Sequence, residues 1–120
     1  MKKAIPDTNV IVGFLVGRDD YLSESLKVYD ELFVPTEVFA EVIFVLESEY
    51  GIAKQDIFEQ LGKLLSIKNF KYERLLLLNS LFRYRGSDLD IIDCLVLERA
   101  ESDKCSVLTA DKKMKKLIKQ

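Results

Sequence analysis

Apolar positions along the chain alternate between short continuous runs and longer stretches recurring at spacings of three and four. That alternation is the mark of strands interleaved with helices. Residues 3–6 predict a brief strand ending at Pro6, which lacks a ladder donor. Asp7, Thr8 and Asn9 then offer caps for a helix over 10–16. Leu22, Leu26 and Tyr29 predict a helix over 21–31, followed by a strand over 32–34 that Pro35 stops. Thr36 precedes a long helical pattern over 37–50, with Val38, Phe39, Val42, Ile43, Val45 and Leu46 covering most of its circumference, so burial on more than one side is expected. A cleaner amphipathic stripe runs over 54–67, carried by Ile57, Phe58, Leu61, Leu64 and Leu65.

Residues 70–72 predict a strand and 74–84 a helix that Gly86 terminates. Ser87-Asp88-Leu89-Asp90 has the form of a capping box and opens a helix to about residue 103. Residues 106–109 predict a short buried strand, and 111–119 a closing lysine-rich helix in which Met114, Leu117 and Ile118 face inward. The whole predicts an α/β fold, a three-layer α/β/α sandwich with a mostly parallel central sheet, as one domain over residues 1–120.

Composition narrows the chemistry. The 120 residues are 48% hydrophobic and 32% charged, with 18 Lys+Arg against 20 Asp+Glu. This is ordinary globular composition, and a net charge of −2 gives no global attraction to nucleic acid. There is no His, which removes Ser-His-Asp and Cys-His nucleophiles, His-bearing zinc signatures and imidazole acid-base catalysis. The two cysteines, Cys94 and Cys105, read as small buried side chains in a reducing cytoplasm. The apolar stretch after Met1-Lys2-Lys3 is interrupted by Asp7-Thr8-Asn9 and runs into Arg18-Asp19-Asp20, so it reads as a mature cytosolic start. No apolar segment reaches the roughly 20 residues a membrane span needs.

Carboxylates and a hard metal ion are the remaining tools. Asp7 follows the first strand at its carboxyl end, where parallel α/β sheets bind ligands, and it equally suits a helix N-cap. Glu41 sits beside the run Val42-Ile43-Phe44-Val45-Leu46, either against a packed face and wanting a cation or exposed beside Glu37. Asp93 shares a helical face with Leu89, Val96, Leu97 and Ala100, an apolar stripe in which an acid wants a metal or an Arg. Asp90, one turn earlier, reads as the acid of the capping box or as a second acid facing the same site. Asp111 repeats the strand-then-acid arrangement of Asp7, again with an N-cap as its alternative. Oxygen-only ligation of this kind suits Mg²⁺ or Mn²⁺, and phosphodiester hydrolysis is the matching chemistry.

Asp7-Thr8-Asn9 after a first strand, Glu41 in an Ala-Glu-Val helix, Asp90-Ile91-Ile92-Asp93-Cys94-Leu95 and Leu108-Thr109-Ala110-Asp111 together resemble the PIN domain family, of the kind found in VapC toxins. The resemblance covers essentially the whole chain, in order. It implies a Mg²⁺- or Mn²⁺-dependent endoribonuclease acting on single-stranded or looped RNA. Asp7, Glu41 and Asp93 match the core metal ligands, Asp111 the fourth acid and Asp90 an additional one. Thr8, Asn9 and Thr109 match polar positions that orient the acids or touch substrate. Pro6 and Cys94 depart from the family's usual residues. The resemblance also implies a cytoplasmic homodimer held inactive by an antitoxin whose basic side chain enters the acidic groove; a free-standing ribonuclease would have the same site.

RNA contact is less legible. Lys112, Lys113, Lys115, Lys116 and Lys119 could steer phosphates, and Arg83, Tyr84 and Arg85 could offer a charged stacking platform. The same lysines equally form the wet face of a helix. A receiver-like signalling module is the rival from another class, but it wants an acidic pair after the first strand and a Lys after the last, and here Asp7 is single and the last strand ends in Thr-Ala-Asp. A PIN-like scaffold that has lost activity is the other rival, and the full set of acids speaks against it.

Overall fold

Strand pairing begins almost at once, since Lys3–Ala4 forms β1 and stops there. Pro6 has no donor and restrains Ile5 before it, so the strand ends two residues short of the predicted limit. The computed structural model describes residues 1–118; Lys119 lies outside them. The chain divides into two compact units, Met1–Arg74 and a second beginning at Leu75.

In the first unit β1 is followed by α1 (Thr8–Leu15), α2 (Tyr21–Val28), β2 (Glu31–Phe33), α3 (Thr36–Ser48), α4 (Lys54–Leu65) and β3 (Phe70–Lys71). The sheet order is β1-β2-β3, both pairs parallel, with Lys3 opposite Glu31 and Leu32 opposite Phe70. The α/β class with a parallel sheet is thus observed. α2 ends at Val28 rather than 31 because Asp30 and Glu31 donate their N–H groups to the Lys2 carbonyl, at 2.9 and 3.3 Å, which commits them to the sheet. α1 packs on both α2 and α3, and Ile11, Val12, Leu22, Leu32, Ile43 and Leu46 supply fully buried side chains.

α3 corrects one expectation. Its buried positions are Thr36, Phe39, Ala40, Val42, Ile43 and Leu46, whereas Glu37, Glu41, Phe44 and Ser48 are exposed. Steps of four, three and four put those four residues on one stripe, so the helix has a wet face despite its apolar run.

The second unit is helical, with α5 (Arg74–Arg85) leading into it, then α6 (Ile91–Asp103) and α7 (Lys112–Leu117). Arg83 ties α5 to α6 through Glu98 at 3.0 Å and Glu101 at 3.1 Å. The predicted strand over 106–109 does not form. Those residues belong to no strand, and Leu108 is 97% exposed, so an apolar run without a ladder partner stays irregular. Leu117 is exposed rather than inward. Cys94 is buried as expected, but Cys105 is exposed, lying just beyond Lys104, whose left-handed conformation ends α6. No helix among the described residues is long and apolar enough to cross a membrane.

Candidate functional site

Asp7 lies three residues beyond the last residue of β1 and caps α1. Its Oδ1 accepts the Val10 N–H at 3.1 Å, which satisfies a donor that the first turn leaves open. Oδ2 has no protein hydrogen bond among the described residues, so the cap holds the side chain while leaving one anionic oxygen available. Thr8 and Asn9 are the first two residues of α1. Glu41 belongs to the exposed stripe of α3, not to its packed face. Burial therefore demands no cation at Glu41, whose exposed carboxylate is open to an ion.

The carboxyl edge of the sheet holds another acid that the pattern of runs did not single out. Glu73, two residues beyond β3, accepts a hydrogen bond from the hydroxyl of the buried Thr36, the first residue of α3. The N-cap of α3 is Pro35, which makes no side-chain cap bond. An anion at Glu73 provides a negative partner at that helix start. The strand-then-acid rule that picked out Asp7 also applies to Tyr72-Glu73 and was the available signal.

In the second unit Asp90, Asp93 and Asp111 interact. Asp90 is the N-cap itself, its Oδ1 accepting the Asp93 N–H at 2.8 Å. The capping-box reading is therefore corrected. Ser87 turns back instead, donating to the Arg83 carbonyl at 2.8 Å and accepting from Leu89 N–H at 3.3 Å, so α6 opens three residues later than the box placed it. Asp111 caps α7, with Oδ1 accepting from Lys113 N–H at 2.7 Å and Met114 N–H at 3.1 Å. Thr109 shapes that approach, its hydroxyl accepting the Asp111 N–H at 3.0 Å.

Asp93, half-buried in the first turn of α6, has its carboxyl pushed above the usual range. Burial contributes most, followed by the negative charges of Asp90 and Asp111 and by a side-chain hydrogen bond with Asp90. The negative charges of Asp90 and Asp111 thus each bear on Asp93, and a cation there would relieve that repulsion. The donors are all hard oxygens, which fits Mg²⁺ or Mn²⁺. Within either unit, no group of three or more Asp, Glu or Cys side chains among the described residues is drawn together tightly enough to hold an ion.

The predicted RNA contacts divide, and the stacking platform is corrected, because Tyr84 is fully buried in α5 and presents no face to a base. Arg83 is held by two carboxylates, and the Arg85 guanidinium lies 5.4 Å from the Phe82 ring centroid. Lys112 and Lys113 are exposed at the start of α7.

Comparison with known proteins gives two findings. The family model described as PIN domain matches residues 4–119. Over 103 residues the chain is 27% identical to a VapC ribonuclease of Aquifex aeolicus (strain VF5), an alignment covering 79% of this chain and 76% of that protein.

Proposed function

This chain belongs to the PIN domain family, and from that premise we propose that it is a metal-dependent endoribonuclease of the VapC type, the toxin of a toxin-antitoxin pair. The observation that carries the reading is the crowding of Asp90 and Asp111 around Asp93, an arrangement of negative charge that is costly without a cation. Asp7, Glu41 and Asp93 would hold Mg²⁺ or Mn²⁺, with Asp111 and Asp90 as further acids. The similarity to a VapC ribonuclease supports RNA as the substrate. When bound, the ion supplies an acidified water and positive charge for the in-line displacement.

The chain's own residues do the positioning. Asp7, Asp90 and Asp111 are each pinned through one oxygen by helix N–H groups, so they reach the ion already oriented, with little ordering left to do. Thr109 steadies Asp111, and Thr8 and Asn9 lie in the turn that Asp7 caps. Arg85, Lys112 and Lys113 meet the RNA, while Arg83 ties α5 to α6 through Glu98 and Glu101. The reading includes a cytoplasmic homodimer, supported by the exposed apolar Leu75 and Phe82 on α5, and an antitoxin that places a basic side chain among these acids. The receiver-like alternative falls away with the family match.

The test is cleavage of single-stranded RNA by the purified protein with Mn²⁺ or Mg²⁺. Activity should disappear with Asp7→Asn, Glu41→Gln or Asp93→Asn. Cleavage that survives all three substitutions and EDTA would refute the assignment.

A further inference from the structure

The turn joining α1 to α2 is knit more tightly than a connector requires. Arg18 donates from Nη2 to the Asn9 carbonyl at 2.9 Å and from Nε to Asp19 Oδ2 at 3.4 Å. Asp19 Oδ1 in turn accepts the Tyr21 N–H at 3.2 Å. Gly13 makes this approach possible, because a Cβ there would stand 2.7 Å from both Arg18 Nη2 and Asp19 Oδ2. The guanidinium is fixed yet 46% exposed, and these bonds occupy two of its five donors. Three residues along the chain, Tyr21 is 66% exposed. Its ring nonetheless helps wall a cleft of about 270 Å³, shared with Asp7, Leu22, Ser25 and Tyr29.

An exposed aromatic in the same cleft as a candidate metal-holding acid, three residues along the chain from a held guanidinium with spare donors, is the combination that takes single-stranded nucleic acid. The ring offers a face to a base, and the cation offers donors to the backbone. We propose that the Arg18–Tyr21 turn grips the RNA strand, with Tyr21 stacking a nucleobase at the Asp7 cleft and Arg18 neutralising the adjoining phosphate. The proposal rests on the ribonuclease reading above and assigns part of its substrate recognition to the first unit. Asp19 is the hinge of the grip, fixing Arg18 with one oxygen and Tyr21 with the other.

The test uses the full chain in EDTA and a short fluorescein-labelled single-stranded RNA, followed by anisotropy across a series of KCl concentrations. A second oligonucleotide carries 2-aminopurine to report stacking. Tyr21→Leu, which keeps an apolar side chain and removes the π-face, should weaken binding about tenfold or more and abolish the 2-aminopurine quench, while Tyr21→Phe keeps both. Arg18→Gln should lower the slope of log affinity against log salt by about 0.7. Circular dichroism checks folding, and Arg18→Lys, which keeps the charge, should keep the slope even where the turn is loosened. Parental affinity in folded Tyr21→Leu, or an unchanged slope in Arg18→Gln, overturns the grip while cleavage by the parent leaves the ribonuclease reading standing. A parent that neither binds nor cuts RNA overturns both.

Discussion

Asp7, in the first unit, and Asp111, in the second, both cap a helix through a single carboxylate oxygen, yet the chain delivers them differently. Asp7 arrives from β1, whose register against β2 fixes the backbone leading to it. Asp111 arrives from an irregular run, and the hydroxyl of Thr109 does the fixing, accepting the Asp111 N–H two residues on. A ladder and a hydroxyl turn thus reach the same end, a carboxylate with one oxygen committed and one open. The difference teaches that cap and ligand are compatible roles for one side chain, since the cap bond orients an acid that would otherwise rotate freely.

The largest effect expected separates those roles at Asp7. Asp7→Asn keeps a good N-cap and removes the anion. Its RNA cleavage should fall by more than the roughly 10–100-fold typical of a change outside the metal's own ligands, with thermal stability near that of the parent. Asp7→Ala should lose the same activity and about 1 kcal/mol of stability besides, read from urea unfolding. Equal activity in Asp7→Asn and the parent would leave Asp7 as a cap alone.

Next in size is the start of α3, where the first unit anchors a helix from the sheet edge without a capping side chain. Thr36→Val keeps the shape and removes the hydroxyl that donates to Glu73. Leaving that acceptor short of a charge-assisted bond should cost about 1.5–3 kcal/mol in urea unfolding. A loss under about 0.5 kcal/mol would mean that water replaces the hydroxyl without penalty. The corresponding change in the second unit is smaller. Asp111→Ala should cost about 1 kcal/mol, and Thr109→Val a fraction of that, because the backbone can still reach the cap.

These contrasts also mark what the sequence could and could not disclose. The order of strands and helices through β3 was legible because periodicity and punctuation agree there. Pro6, Pro35 and Gly51 each stand near a boundary, and α4 begins at Lys54 as its stripe predicts. Ends slipped where a tertiary partner decided them, as at Asp30 and Glu31, drawn from α2 by Lys2. The strand over 106–109 failed because an apolar run states that a segment can pair, not that a neighbour is present. At Ser87 the local form of a capping box competed with a second capping acid, Asp90, and the acid won. At Glu41 two readings stood open, and the exposed one beside Glu37 holds, because Glu37, Glu41, Phe44 and Ser48 share one stripe that the run of five apolar residues masks. The acids themselves were legible as residues, since an Asp after a strand or within an apolar helix is conspicuous. The hydrogen bonds that orient them were not.

The smallest effect tests the second unit's distinguishing feature, the crowding at Asp93. Its folded carboxyl holds a proton more tightly than the unfolded one, chiefly through burial and then through Asp90 and Asp111. The favourable contribution of the protonated form is therefore fully present below the unfolded value and is lost as pH rises through the folded one. At neutral pH in EDTA the ionised side chain is a net cost, so Asp93→Asn should melt above the parent. That advantage should shrink as the pH falls into the ordinary carboxylate range and vanish below it. Added Mn²⁺ should raise the parent's melting temperature more than the variant's, because a cation relieves a repulsion that the amide has already removed. A variant that melts lower than the parent at neutral pH without metal would instead make Asp93 the partner of a structural cation within the fold, and the crowding would no longer support a metal at that end of α6.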